Sequence, residues 1–431
     1  MRDSKYKRSE ELFEKASACI PVASQTFSKS YLQYPRGCSP LFLKRGMGGR
    51  VWDVDGNEYV DMVNGLLSVI LGYADPDVDA AIQDQLRNGI SFSLATELEI
   101  QLAERLIELI PCAEMVRYGK NGSDATSAAI RLARGYTKRD RIAVCGYHGW
   151  QDWYIGSTVR NLGVPKSVSE LTHRFEYNHI DTLHHLFKQH PGEFAAVILE
   201  PINMMHDSPI EFLHNVKALT QQAGAVLIFD EIISGFRCDL GGAQHLFGVT
   251  PDLAAFGKSM GNGMPISAVV GRADIMRLME EIFYSGTFGG ETLSLAAAIA
   301  VIDKMKRENV IENLNQKGKR LSDRVQSIIE KTKLQEVFSL SGIPSWKFLV
   351  IKDYQGVRKE AIRTMFMQKM IEYGVLMQSS HNISYAHDER DLNHVTNAYE
   401  KTLSEIQSLL ASNRFESALN CAVLEPIFKV R

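Results

Sequence analysis

Short, unbroken apolar runs alternate with helical stretches from about residue 95 onward, and this alternation is the strongest constraint on the fold. Helical periodicity is present over 97–109 and 123–136. The apolar runs lie at 141–145, 195–199, 225–229, 253–256 and 266–270. Unbroken apolar strands separated by helices indicate an α/β fold with a mainly parallel sheet covered on both faces.

The two ends of the chain follow a different pattern. A helix is predicted before Pro21, and apolar stretches over 41–46 and 50–60 flank turn residues, which indicates antiparallel strands. After about residue 306, amphipathic helices alternate with strands such as 347–351. We therefore predict a large domain over 65–305 and a small α+β domain over 306–431, with which the N-terminal segment 1–64 packs.

Charge and hydropathy exclude several classes of partner. The 431 residues include 48 Lys and Arg against 51 Asp and Glu, a formal charge of −3, which argues against nucleic acids and anionic membranes as partners. No apolar run is long enough to span a bilayer, and the first residues lack a signal-peptide core. The six cysteines form no CxxC pair, and no metal-binding motif occurs. The predicted location is the cytoplasm. No metal cofactor is predicted.

The strongest chemical signal is a carboxylate and a lysine that follow successive strands. Asp230 ends one apolar run, and Lys258 stands two residues after the next. The carboxyl ends of parallel strands face one crevice, so these side chains can converge. A desolvated lysine forms Schiff bases, and a carboxylate can keep a pyridinium nitrogen protonated, as pyridoxal chemistry requires. The alternative is a surface lysine and an aspartate that caps a helix.

Three further segments suit a flat, phosphate-bearing ligand. Gly122 and Ser123 begin a helix whose backbone N–H groups could bind an anion, although ordinary helix starts look the same. Tyr147 follows a strand and could stack on a ring or belong to the core. The small-residue turn at 285–292 offers a hydroxyl and backbone N–H groups for a second anion contact.

The residues at 41–46, 52–59, 230–237, 241–244, 248–258 and 263–265 carry a family resemblance. In them the chain resembles the class III (subgroup II) pyridoxal-phosphate aminotransferases of fold type I, and most closely their glutamate-1-semialdehyde 2,1-aminomutase branch. The likeness extends from residue 11 to about 387. It implies a large domain with a mainly parallel seven-stranded sheet flanked by helices, a smaller α+β domain, and pyridoxal 5′-phosphate (PLP) as cofactor.

The resemblance also implies roles around the cofactor ring. Lys258 would form the internal aldimine and move the proton, and Asp230 would pair with the pyridine nitrogen. Tyr147 would stack on the ring, with His148 beside it, and Glu200 matches a cofactor-side glutamate of the family.

Two more matches concern the cofactor phosphate. Gly122, Ser123 and Asp124 match the family's phosphate cup. Thr287 matches the threonine that reaches the phosphate of the neighbouring subunit, which implies a homodimer.

The departures from the aminomutase branch concern the substrate. Residues 24–30 contain Lys29 but lack the arginine that holds the substrate carboxylate in that branch, and its gating glutamate is absent near 379–382. The predicted substrate pocket is aromatic and hydrogen-bonding, and its residues are Lys29, Trp150, Trp153, Tyr154, His381 and Asn382. The alternative is that the aromatic residues only pack a dimer interface.

The leading hypothesis is an aminotransferase that moves an amino group from a donor to a small carbonyl acceptor, such as an oxidised sugar or polyol, through Lys258. The second hypothesis is the aminomutase, which transfers the amino group within one molecule. The third is a non-catalytic PLP-binding protein, against which the presence of both Lys258 and Asp230 argues.

Overall fold

The computed structural model describes residues 5–202, 209–412 and 415–426. The chain divides into two compact units at the junctions Asp75–Pro76 and Ile311–Glu312, somewhat after the predicted domain limits at residues 64 and 305. We call Pro76–Ile311 the central unit, and the two flanking parts together the terminal unit.

The central unit is built on a seven-stranded sheet within the described residues. Its spatial order is Met115–Gly119, Ser267–Gly271, Leu253–Phe256, Val226–Asp230, Phe194–Leu199, Arg141–Cys145 and Thr172–Arg174. The last five strands are mutually parallel, whereas Ser267–Gly271 runs antiparallel to both of its neighbours. The predicted α/β fold with a mainly parallel sheet is confirmed.

Helices surround this sheet, some packed on it and others on neighbouring helices. The helices of the central unit are Pro76–Leu86, Glu97–Leu109, Gly122–Thr137, Asp152–Ile155, Lys166–Ser169, Ile180–Gln189, Ile210–Gln222, Gly242–Phe247, Ala273–Met276 and Thr292–Arg307, with 3₁₀ turns at Lys258–Gly261 and Arg277–Glu280. The helix Gly122–Thr137 buries alanines at 125, 128, 129 and 133 against the sheet, and these small side chains permit a close approach. Every residue of Phe194–Leu199 is buried, as expected for a strand covered on both faces.

The terminal unit combines both ends of the chain. A four-stranded sheet has the order Leu43–Met47, Arg50–Asp53, Glu58–Asp61 and Val375–Leu376, and a three-stranded sheet has the order Phe338–Ile343, Trp346–Ile351 and Ser380–Asn382. Its helices are Lys7–Cys19, Asn64–Leu67, Val310–Lys331, Lys359–Glu372 and Glu389–Ala411, with 3₁₀ turns at Pro21–Ala23, Phe27–Lys29 and Glu416–Ala418. The strand Val375–Leu376 pairs in parallel with Glu58–Asp61, so N-terminal and C-terminal segments share one sheet.

None of the helices in the described parts of the chain has the length and apolar character needed to cross a membrane.

Candidate active site

Asp230 is the last residue of the strand Val226–Asp230, and both of its carboxylate oxygens are held by the protein. Oδ2 lies 2.8 Å from Nδ1 of His148. Oδ1 accepts a hydrogen bond from the Ile232 N–H at 3.1 Å. The side chain is only 5% exposed, so the carboxylate has a fixed orientation and little contact with water. Each oxygen keeps a lone pair for one further donor.

His148 connects Asp230 to the backbone of the strand Arg141–Cys145, which is the second strand along the sheet from that of Asp230. Its Nε2 lies 3.1 Å from the carbonyl oxygen of Cys145, which can only accept, so Nε2 carries a proton. The 2.8 Å contact of Nδ1 with Asp230 therefore requires a second proton between nitrogen and carboxylate. The imidazole stacks on the Trp153 ring, with centroids 6.4 Å apart and planes 13° apart. His148 thus presents a shared proton to Asp230 from a rigid position.

Lys258 follows the strand Leu253–Phe256, which pairs in parallel with the strand of Asp230. Asp230 is opposite Ala255 in this register. The turn that begins at Lys258 therefore lies beside the end of the strand that carries the Asp230 carboxylate. The lysine has a φ of +38°, a left-handed conformation that costs free energy in a residue with a Cβ. Burial lowers the pKa of the Lys258 amine, and the charges of Glu200 and Asp230 oppose that shift. A lowered amine pKa increases the neutral, nucleophilic fraction.

Glu200 follows the strand Phe194–Leu199 on the other side of Asp230's strand. Its Oε2 accepts a hydrogen bond from the Tyr147 N–H at 3.0 Å. Burial, reinforced by the negative charge of Asp230, raises the pKa of Glu200 to about 7. The site therefore contains a carboxyl group that exchanges its proton near neutral pH.

The loop that carries Tyr147 and His148 is fixed by two glycines. Gly146 and Gly149 have φ values of +108° and +113°, which side chains rarely adopt. A Cβ on Gly146 would lie 2.5 Å from Oε2 of Glu200, and one on Gly149 would lie 2.3 Å from Oγ of Ser123. The loop consequently packs directly against Glu200 and against the start of the helix Gly122–Thr137.

That helix begins with a reciprocal cap. Oδ2 of Asp124 accepts hydrogen bonds from the N–H groups of Lys120 and Asn121, at 2.9 and 3.0 Å. The Asn121 side chain in turn accepts from the Asp124 N–H at 3.3 Å. Asp124 therefore shapes the turn, while the first N–H groups of the helix, at Gly122 and Ser123, have no acceptor within the helix, an arrangement that suits an anion.

Two buried hydroxyl groups flank the strand that leads into this cap. Ser267 Oγ and Tyr284 Oη have no hydrogen-bond partner in the part of the chain that the structure describes. A Cβ on Gly119 would lie 2.9 Å from the first and 2.4 Å from the second. Buried donors without partners next to a helix N-terminus fit a phosphate group, and the Lys258–Asp230 arrangement fits a pyridine ring carrying a carbonyl.

A second helix start is tied to the first. Lys120 Nζ forms an ion pair with Oε2 of Glu291 at 2.9 Å. Glu291 caps the helix Thr292–Arg307 by accepting from the Leu293 N–H at 2.7 Å. Thr287 lies in the exposed turn just before this cap.

The geometry agrees with what comparison of the sequence shows. The aminotransferase class-III family model matches residues 33–387. The chain belongs to the class-III aminotransferases. It is therefore an amino-transferring enzyme that uses PLP, and its α/β architecture is that of fold type I.

Three similar proteins illustrate the range of this family. The 3-aminobutyryl-CoA aminotransferase of Cloacimonas acidaminovorans (strain Evry) is 37% identical over 94% of this chain and 99% of its own length. The glutamate-1-semialdehyde 2,1-aminomutase of Persephonella marina is 34% identical over 93% and 100%. The FumI protein of Sphingopyxis sp. MTA144, solved in its PLP internal aldimine form, is 27% identical with a TM-score of 0.84 over 94% and 98%.

In this class-III aminotransferase, the predicted substrate-side aromatic residues have different surroundings. Trp153 is buried and donates from Nε1 to Ser127 Oγ at 2.9 Å. Tyr154 is buried and donates to the Gly146 carbonyl at 2.8 Å. Tyr147 and Trp150 are 52% and 67% exposed. The two buried side chains therefore support the loop, and the two exposed ones are accessible to a ligand or a second subunit.

The other predicted substrate residues of the class-III aminotransferase lie in the terminal unit. Lys29 is exposed at the end of the 3₁₀ turn Phe27–Lys29. His381 is fully buried, and its Nε2 lies 2.7 Å from Tyr399 Oη. Asn382 is 4% exposed and donates to the Val63 carbonyl at 3.0 Å. Within this unit, His381 and Asn382 make core hydrogen bonds.

Sequence reasoning missed Ile232, Ser267 and Tyr284. A Cβ on Gly122 would lie 3.1 Å from the Ile232 side chain, and one on Gly257 would lie 3.2 Å from it. Ile232 therefore lies between the helix start and the turn of Lys258. The available signal was its position two residues after Asp230 in a matching motif. The two hydroxyl groups gave no sequence signal, because their proximity depends on strand pairing.

Proposed function

We propose that Lys258 carries the chemistry of amino transfer from an amine donor to a small carbonyl acceptor. PLP supplies an electron sink for the carbon that bears the amino group. The Lys258 Nζ would hold the cofactor covalently until the amine donor displaces it, and the freed amine would then remove the proton from that carbon and return it in the second half of the transfer. The observation that supports this role most strongly is the turn of Lys258 beside a carboxylate whose two oxygens are fixed.

The remaining residues orient the cofactor in this proposal. Asp230 holds a proton on the ring nitrogen, and His148 keeps Asp230 in place. Tyr147 and Ile232 contact the ring.

The phosphate is bound by the helix start at Gly122 and Ser123, which Asp124 shapes, with help from Ser267 and Tyr284. Glu200 supplies a titrating carboxyl group on the Tyr147 side of the ring.

The assignment of Lys258 is tested by its removal. Lys258→Ala should lose the visible absorbance that the cofactor has when bound to the wild type, and an added amine donor should not convert the bound cofactor to its aminated form, because the group that moves the proton is absent. Lys166→Ala removes a lysine whose side chain is 88% exposed and serves as the control, with unchanged spectra. A Lys258→Ala protein that still transfers amino groups at the wild-type rate would overturn the assignment.

We further propose that the functional unit is a homodimer in which Thr287 reaches the phosphate in the neighbouring subunit. Thr287 is exposed in the single chain, and Phe283 and Phe288 beside it are 85% and 59% exposed, which favours contact with a second copy. A heterodimer of Lys258→Ala and Thr287→Ala chains should regain about half the wild-type activity, because one site then holds both native residues. Activity no higher than that of the Thr287→Ala homodimer would contradict sharing of the site.

For the acceptor, we propose a carbonyl compound without a free carboxylate next to the reacting carbon. Residues 24–30 contain no arginine, and Lys29 is a flexible point charge. The relative named 3-aminobutyryl-CoA aminotransferase supports a 3-oxoacyl thioester, and the exposed Tyr147 and Trp150 suit an oxidised sugar or polyol. Loading the enzyme with an amine donor, offering each class, and identifying products by mass decides between them. Preference for α-keto acids would refute the proposal.

The second candidate is the aminomutase, supported by the 34% identity to a protein of that name over nearly the whole chain. The test is incubation of the amine-loaded enzyme with glutamate 1-semialdehyde alone. Efficient formation of 5-aminolevulinate without an added donor would favour the mutase over the transferase.

A cytoplasmic location stays a prediction from the sequence.

A further inference from the structure

The segment that contains Thr287 is exposed between two fixed ends. Residues 285–288 are all exposed. Just before them, the Arg117 guanidinium donates to the Tyr284 carbonyl at 3.2 Å. Arg117 belongs to the strand Met115–Gly119, which leads directly into the helix start that we assign to the cofactor phosphate. The beginning of the exposed segment is therefore held by the strand that leads into the chain's own phosphate site.

The far end of the segment is held by Glu291, whose carboxylate accepts from four donors. Oε1 accepts from the Leu293 N–H at 2.7 Å, and Oε2 accepts from the Ser294 N–H and hydroxyl at 3.3 and 2.6 Å. The fourth donor is Lys120 Nζ, which lies 2.9 Å from Oε2. Burial raises the pKa of Glu291, but the hydrogen bonds from Ser294, Lys120 and the Leu293 N–H outweigh burial and hold that pKa below its ordinary value. The carboxylate is therefore charged at neutral pH.

Two tight turns connect Thr287 to Glu291. The Gly289 N–H donates to the Gly286 carbonyl at 3.0 Å, and the Glu291 N–H donates to the Phe288 carbonyl at 3.2 Å. Each of these hydrogen bonds closes a four-residue turn, and the two turns overlap. The position of Thr287 consequently depends on where Glu291 is held.

Lys120 belongs to the turn that precedes the phosphate helix. Its backbone N–H donates to Oδ2 of Asp124 at 2.9 Å. Its ammonium group forms the ion pair with Glu291. One residue thus joins the phosphate site of its own chain, through the backbone, to the segment of Thr287, through the side chain.

The ion pair is shielded from water. The side chains of Lys120 and Glu291 are 22% and 12% exposed, against 41% and 63% for the pair of Lys306 and Glu108 in the same unit. Exposed ion pairs contribute little, because water and salt screen them. A shielded pair whose carboxylate accepts further hydrogen bonds fixes the relative position of the two segments it joins.

We propose that Lys120 and Glu291 are positioning residues for the cofactor of the neighbouring subunit, because their ion pair fixes the segment that brings Thr287 to that cofactor's phosphate. This inference rests on the proposed homodimer with a shared phosphate site. Loss of the ion pair leaves the helix start at Gly122 in place and releases the Thr287 segment. Each chain then binds its own cofactor as before and binds the cofactor of its neighbour more weakly.

The test measures PLP binding to cofactor-free mixed dimers that are assembled from two differently tagged chains. One chain carries Lys258→Ala, so the visible absorbance of the bound cofactor reports only the site of the other chain. In the first dimer, Lys120→Met is added to the Lys258→Ala chain, whose Thr287 serves the reporting site. The Kd for PLP should rise about fivefold relative to the dimer without this substitution, which corresponds to the loss of about one net hydrogen bond.

The second dimer carries Lys120→Met in the reporting chain instead. Here the Thr287 that serves the reporting site comes from a chain with an intact ion pair, so the Kd should be nearly unchanged. Because both dimers contain the same substitution once, a general loss of stability would affect them equally.

Further variants in the Lys258→Ala chain identify the ion pair as the cause. Glu291→Gln keeps an acceptor for the Leu293 N–H but removes the charge, and it should raise the Kd as Lys120→Met does. The two changes together should add nothing, because either one breaks the same pair. Lys120→Arg preserves the charge and should retain most of the affinity. Lys306→Met, which removes the exposed pair with Glu108, is the control and should leave the Kd unchanged.

Thr287→Ala in the Lys258→Ala chain distinguishes failure of this inference from failure of the proposed function. It should raise the Kd of the reporting site by about tenfold, because a hydrogen bond to a charged phosphate is lost. An unchanged Kd would show that the phosphate site is not shared, and the proposed role of Lys120 would fall with it. If Thr287→Ala weakens binding but Lys120→Met does not, or weakens it only in its own chain, the shared site stands and the positioning role is overturned.

Discussion

Each unit of this enzyme buries a histidine among aromatic rings, and the two are held in opposite ways. His148 in the central unit faces the carboxylate of Asp230 at 2.8 Å. His381 in the terminal unit bonds Tyr399 through Nε2, and its Nδ1 has no hydrogen-bond partner among the described residues. Burial lowers the pKa of His381 to about 4, so it is neutral at physiological pH.

The comparison shows that two equally buried histidines can have different properties because their hydrogen-bond partners differ. Without a neighbouring carboxylate, burial favours the neutral imidazole, which packs in the core and makes one hydrogen bond. With a carboxylate, the same degree of burial fixes a shared proton at a defined position. The four predictions below change one side of this comparison at a time.

The largest effect should follow removal of the Asp230 carboxylate, which is the partner of His148. Asp230→Asn keeps the shape but cannot hold a proton on the ring nitrogen, so kcat should fall about 10³-fold. Asp239→Asn, in the following loop, removes a carboxylate that caps Gly241 at 2.7 Å and should leave kcat nearly unchanged. Steady-state kinetics at saturating PLP measure both. Equal rates in Asp230→Asn and the wild type would remove Asp230 from the mechanism.

A smaller loss should follow from changing the histidine instead. His148→Phe preserves stacking on Trp153 but removes a charge-assisted hydrogen bond, so kcat should fall about 10- to 100-fold. His148→Asn can donate from its amide to Asp230 and should recover part of the loss. The pH profile of kcat should shift in the Phe variant and much less in the Asn variant. Identical profiles would indicate that His148 has only a packing role.

The third prediction concerns Glu200, whose pKa is raised to about 7. The folded protein then keeps a proton that the unfolded chain loses between the ordinary carboxyl value of 4.5 and about 7, so stability falls as pH rises through that window. Glu200→Gln keeps the acceptor for Tyr147 N–H and should remove this fall, on the order of 2 kcal/mol. Melting of the cofactor-free proteins from pH 5 to 8 measures the slope. Parallel curves would contradict the raised pKa.

The smallest effect is expected at His381. His381→Leu leaves the Tyr399 hydroxyl without its partner but also removes an unbonded nitrogen, for a net cost of about 1 kcal/mol. Since the folded pKa is lowered to about 4, the wild type loses stability as pH falls from 6.5, and the variant should not share that loss. Catalysis by the folded protein should be unchanged. A selective rise in KM without loss of stability would restore His381 as a substrate contact.

The sequence alone predicted the elements whose signals are local. The helix Glu97–Leu109 has the predicted limits, and Gly122–Thr137 differs by one residue at each end. The strands Met115–Gly119 and Thr172–Arg174 were not predicted, because the first is mixed in character and the second is only three residues long. The antiparallel direction of Ser267–Gly271 depends on its connections and not on its composition.

The site shows the same limit. The sequence predicted that Lys258 and Asp230 lie close together because strand ends converge by a general rule of α/β sheets, and their strands are adjacent and parallel. The contact between His148 and Asp230 was not predicted, since the residues are 82 positions apart and only the fold brings them together. The burial of Trp153 and Tyr154 was equally unpredictable, because the sequence does not distinguish an aromatic residue that lines a pocket from one that packs in the core.

The two glycines of the loop at 146–150 also bear on how such an enzyme could acquire new substrates. Any side chain at Gly146 or Gly149 collides with Glu200 or Ser123, and His148 cannot move without disturbing Asp230. The Trp150 side chain is exposed, and its backbone N–H donates a hydrogen bond to Ser123 Oγ. Selection for altered substrate range should therefore accumulate changes at Trp150 while its neighbours stay constant, and a library randomised at that position should retain most of its folded members.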